Sequence, residues 1–245
     1  MSSDVRARDR AFAAWISGAI LAVLLIGFSR SFFLRPFFAG PPSWAAKETI
    51  FYAHGAVFAA WFALLAVQVL LIRVRNVPLH RSLGYAGAGL AALVVVAGTL
   101  AALRASNRPG GFIDVPVPPD QFLTVPLVGM LLFGAFVTLA VVWRRNPARH
   151  KRMMFLASIS LLGAPVARIT SMTAPFAPPM LDVIVYTTLV GFILVWDVAV
   201  LRRVRADTLV GGAAVIGLNA AALPFGATAA WLAIAHPLMA LVPPP

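Results

Sequence analysis

Seven apolar runs divide this chain, and the segments between them are too short for a soluble domain. A membrane-spanning helix needs about 20 predominantly apolar residues. The most constraining run lies in residues 51–81, FYAHGAVFAAWFALLAVQVLLIRVRNVPLHR. It is too apolar for a soluble helix, yet His54, Trp61, Gln68 and Arg75 recur along it at intervals of seven, with Lys47 one interval before. Positions seven apart on an α-helix drift by only about 20°. One narrow stripe therefore carries a His, a Trp and a Gln between charged ends. A lipid-facing helix has no use for such a stripe, so this one is expected to face other helices.

The remaining runs fall at about 11–28, 79–103, 122–143, 147–172, 181–201 and 208–235. Residues 1–10 form a short polar tail. The first run lacks a small-x-small cleavage site and is expected to stay as a helix. Ser43 is a candidate cap for the second helix. The third run is rich in Gly and Ala, which let helix backbones approach closely in lipid. Gly and Pro break up the loop at 104–120. Asn146-Pro147 is a helix-start pair. In the last run, Pro224 is expected to kink the helix. The sequence thus predicts an all-α bundle of about seven transmembrane helices, forming a single domain over residues 1–245.

Charge fixes which ends lie together. Hydrophobic residues make up 61% of the chain and charged residues 11%, against roughly 45–50% and 25% in soluble domains. The net charge of +12 would suggest nucleic acid in a soluble protein, but here the bases sit in short loops between spans. The tail and the loops at 73–81, 144–152 and 202–205 hold 14 Arg or Lys, and the opposite side holds five. Positive loops stay inside, which predicts a cytoplasmic N-terminus and an external C-terminus. Only two of the 20 bases are lysine. That bias suggests a GC-rich bacterium and hence its cytoplasmic membrane.

The absence of cysteine excludes disulfides, thiolate metal sites and covalent haem attachment. No Gly-x-Ser-x-Gly elbow, HExxH or P-loop occurs, so a non-enzymatic role is expected. Ionisable residues inside membrane helices mark functional sites by default. His54, Trp61, Gln68, Arg168 and Asp182 form the candidate ligand pocket. Asp182 is the expected partner of Arg168, because an unpaired Arg at depth costs about 2.5–3.5 kcal/mol.

Residues 75–81 and 145–151 share Arg, Asn and His followed by a base, at a shift of 70. The second and third helices would then repeat as the fourth and fifth. His80, Arg81, His150, Lys151 and Arg152 would form an anion site on the cytoplasmic face, with lipid phosphate headgroups as occupants.

His54-Gly55, His80-Arg81-x-Leu83-Gly84 and His150-Lys151-Arg152-Met153, with Arg168 downstream, carry a resemblance. The pattern resembles a group of bacterial multi-pass membrane proteins marked by His, His-Arg-x-Leu-Gly and His-x-x-x-Met. The group has no assigned activity to transfer. A looser likeness to transmembrane b-type diheme cytochromes implies haem b, with His54, His80, His150 and His236 as ligands. The expected function is therefore binding of a lipid-like or small ligand within the bundle. The alternatives are a haem electron carrier and a small-molecule transporter.

Overall fold

A computed structural model describes residues 3–38, 48–113, 115–173 and 181–242. Lys47 and Ser43 lie outside the described residues. The helices are α1 (Ser3–Phe28), α2 (Thr49–Arg73), α3 (Val77–Ser106), α4 (Pro119–Phe122) and α5 (Thr124–Val142), then α6 (Pro147–Ser160), α7 (Gly163–Thr173), α8 (Leu181–Leu201), α9 (Ala206–Gly226) and α10 (Ala229–Ala240). One π turn, Ser29–Phe33, extends α1. Among the described residues there is no strand. Six helical segments are long and apolar enough to cross a membrane, and the bent pair α6–α7 supplies a seventh. The chain is an all-α integral membrane protein.

Local chemistry explains the short connections. Arg75 takes a left-handed conformation, φ 62°, just past α2. Its N–H donates to the Ile72 carbonyl at 3.2 Å, and the Asn76 N–H donates to the Leu71 carbonyl at 2.8 Å. This pair of bonds satisfies carbonyls at the helix end that would otherwise lack donors. Asn76 Oδ1 then accepts from the Leu79 N–H at 3.3 Å, and Pro78 follows in the first turn. The α5–α6 connection uses the same start: Asn146 Oδ1 accepts from the Arg149 N–H at 3.3 Å, with Pro147 next.

Within the bundle, α5 packs against α3, α6 and α9, while α1 packs against α2 and α7. Phe133, Leu156, Ile159 and Leu162 fill the centre and are fully buried. Bases and acids join the elements at one end. Lys151 pairs with Asp9, linking α6 to α1. Arg149 pairs with Asp207 at 3.2 Å, linking α6 to α9. This is the basic end. At the far end Arg104 Nε meets Glu48 at 2.5 Å.

Two of the expected spans are divided. The fifth is not one helix over 147–172: α6 and α7 meet at 44°. Pro165 accounts for this, since it has no N–H for the Leu161 carbonyl and its ring would crowd that group. The last run also divides, at Ala227–Thr228. Pro224 lies near the end of α9 and does not set the break. Gly226 has reached the far end, where its Cα faces the Gln121 carbonyl closely enough that a Cβ would lie 2.2 Å from it. Thr228 Oγ1 accepts from the Trp231 N–H at 3.3 Å and starts α10. That short helix docks on the far end. Trp231 Nε1 donates to the Asp120 carbonyl at 2.8 Å, and Asn107 Nδ2 donates to the Met239 carbonyl at 2.7 Å.

Candidate functional site: the polar face between two hairpins

The α2 stripe runs from the far half to the basic end. His54 packs its ring against Phe58, with centroids 4.1 Å apart. The Ala97 carbonyl of α3 lies beside it, and the charge of Arg168 acts on it. Its Nδ1 is buried without a hydrogen-bond partner. Trp61 is almost fully buried and donates from Nε1 to Ser158 Oγ of α6 at 3.3 Å. Its ring meets Phe133 edge-on at 4.8 Å. Gln68 sits near Gly84 of α3, and its Oε1 is also buried without a partner.

At the basic end the two hairpins meet through histidine. The rings of His80 and His150 have centroids 6.3 Å apart and planes at 89°. His150 Nδ1 lies 2.9 Å from the Ala140 carbonyl, so that nitrogen carries the proton. The Gln68 carbonyl lies beside the His80 ring. His80 Nδ1 is buried without a partner. The similarity between hairpins is thus local. Asn cap, Pro and His recur, whereas the α3 arm is continuous and the α6–α7 arm is bent.

Two bases of the expected anion cluster are held in ion pairs. Arg152 is 2% exposed and faces inward. Its Nη2 donates to Asp197 Oδ1, its Nε to Thr208 Oγ1 at 3.0 Å, and its Nη1 to the Ala148 carbonyl at 2.8 Å. Thr208 in turn donates to Asp197 Oδ2 at 2.7 Å. The burial is tolerated because both charges and their hydrogen-bonding atoms are matched. Lys151 is held by Asp9. Arg81 remains exposed at the surface. Asp197 stands in the sequence as a lone acid in an apolar span, but nothing local singles out Arg152 from the neighbouring bases as its partner.

Arg168 places its guanidinium 4.6 Å from the Phe28 ring and donates to the Ala164 carbonyl at 3.2 Å. Asp182 stands in the first turn of α8. Among the described residues, the ion pairs do not include Arg168 with Asp182.

Of the four expected haem ligands, His236 is exposed on α10, with Nε2 3.2 Å from Asp120 Oδ2. His54 contacts Phe58. Among the described ring contacts, only His80 with His150 brings two histidines together, their planes nearly perpendicular. No family model, curated protein or solved structure matches the chain.

Proposed function

We propose that this integral membrane protein binds an extended, lipid-like molecule along the α2–α3 face, with His54 and Gln68, about 21 Å apart along α2, each contacting a different polar group of it. One observation carries the reading. His54 Nδ1 and Gln68 Oε1 are buried polar atoms without a partner on the same stripe of one membrane helix. The bilayer core has no water to satisfy such atoms, and each costs several kcal/mol if left alone. A bound polar group removes that cost. The test is organic extraction of protein purified in mild detergent, followed by mass spectrometry. A single compound should appear at about one per chain. Gln68→Leu and His54→Phe should each weaken its retention roughly 5–150-fold, matching loss of one buried hydrogen bond at about 1–3 kcal/mol. Equal retention by both variants, or no compound, overturns the reading.

The basic end is assigned to the cytoplasm of a bacterial inner membrane, where anionic headgroups meet Arg81 and the neighbouring exposed arginines. The chain has no native cysteine, so single introduced thiols report cleanly. Val74→Cys and Arg145→Cys should resist an impermeant maleimide in whole cells, while Pro116→Cys should react. The reverse pattern inverts the topology.

The 44° break between α6 and α7 favours a second reading, transport, because discontinuous spans are recurrent at transporter binding sites. Counterflow of the co-purifying compound in proteoliposomes tests it. Uptake should be saturable, and the absence of exchange rejects transport.

A further inference from the structure

The His80–His150 pair has chemistry that the small-molecule reading does not use. Three carboxylates withdraw the positive charge around it: Asp9 takes Lys151, Asp197 takes Arg152 and Asp207 takes Arg149. What remains between the hairpins is a pair of imidazoles, with the charge of Arg81 acting on His80. Each lies against a backbone carbonyl, Ala140 for His150 and Gln68 for His80. For His150 the carbonyl fixes the proton on Nδ1 and leaves the lone pair on Nε2. In His80 the buried Nδ1 has no partner. An imidazole steadied by a carbonyl on one side, with a nitrogen to spare, is the usual condition of a metal-bound histidine.

The spacing narrows the choice. Imidazole nitrogen sits about 2.0–2.1 Å from a first-row metal, which puts two ring centroids on opposite sides of one ion roughly 6 Å apart. The observed separation is 6.3 Å. Rotation about a linear nitrogen–metal–nitrogen axis is unrestricted, so perpendicular planes are compatible with it. Among the described residues no three His, Cys, Asp or Glu side chains group as a metal site. Structural zinc takes four ligands, and calcium and magnesium take oxygen. Imidazole suits copper, and monovalent copper, a d10 ion with no ligand-field demand for four ligands, accepts two nitrogens in line. A single positive charge is also the least opposed by a basic surface.

We propose that His80 and His150 together bind one Cu(I) ion at the basic end, bridging the α2–α3 and α5–α6 hairpins. The inference stands independently of any organic ligand on the α2 stripe. The test uses the full-length protein in detergent, titrated with Cu(I) against a chromogenic Cu(I) chelator under reducing, anaerobic conditions. One equivalent should bind. His80→Gln and His150→Gln should each weaken binding at least about 100-fold, exceeding the 10–100-fold cost of losing a mere supporting partner. Copper should raise the melting temperature of the parent and of neither variant. X-ray absorption of the loaded parent should show two nitrogen neighbours, a readout that does not depend on either variant folding. Four-coordinate copper, preference for Zn(II), undiminished copper binding by the variants, or a haem spectrum abolished by the same substitutions would overturn the proposal.

Discussion

Asp197→Ala should yield little folded protein, and what folds should melt far below the parent. Asp197 has no exposed surface and Arg152 has 2%. Removing the carboxylate leaves a guanidinium inside the bundle with only Thr208 and a backbone carbonyl as acceptors. Breaking a buried ion pair from one side costs about 3–5 kcal/mol. A whole domain is stable by about 5–15 kcal/mol. Arg152→Ala should cost less than Asp197→Ala if it leaves a carboxylate that can take up a proton. The double variant Arg152→Met with Asp197→Leu should recover most of the loss, since apolar packing removes both desolvation costs. Thermal unfolding monitored by size-exclusion chromatography measures the parent, the two single alanine variants and the double alanine variant that closes the cycle, with the Met/Leu double beside them. Independent, additive losses would mean that the two residues are not coupled.

Gly27→Ala should be nearly as damaging, although it adds a single methyl group. A Cβ at Gly27 would lie 2.3 Å from the Pro165 carbonyl oxygen and 2.6 Å from its Cα. Both are backbone atoms, and neighbouring Val166 is fully buried, so α7 has little room to retreat. Overpacking of this kind costs typically about 1–3 kcal/mol and sometimes more. Gly18 on the same helix has nothing within 4 Å of its Cβ position. Gly18→Ala should therefore be neutral or stabilising by up to about 1 kcal/mol, through helix propensity. Melting temperatures of the two variants decide the matter. If both behave alike, close packing of α1 on α7 is not what Gly27 provides.

The helical class and the clustering of basic loops were legible because hydropathy and charge act over whole segments. The break at residues 161–162 was less so. Leu161 and Leu162 continue the apolar run, and the cause, Pro165, lies beyond the break. The end of α9 was also obscured, since the residues on both sides of Ala227–Thr228 are apolar. Trp61 was readable as an inward residue from its spacing with His54 and Gln68. Arg152 was not readable as one. Its immediate neighbours are a basic cluster, and its partner lies 45 residues away on another helix. Local sequence shows which residues are costly to bury, but only the packing shows which of them share the cost.

The break in the fifth span also divides the bundle mechanically. Its α7 half rests on α1 and α8, whereas its α6 half packs mainly against α5 and α9 and carries Arg152. The two leaflets of the membrane therefore press on different sets of helices through one polypeptide segment. Helices adjust to bilayer thickness by tilting or kinking at modest cost. A change in thickness on the far side loads α7 and α1 at the Gly27–Pro165 contact. The load does not end there: α8 carries Asp197 and α1 carries Asp9, so the Arg152–Asp197 and Lys151–Asp9 pairs couple the far-side contact to the basic end.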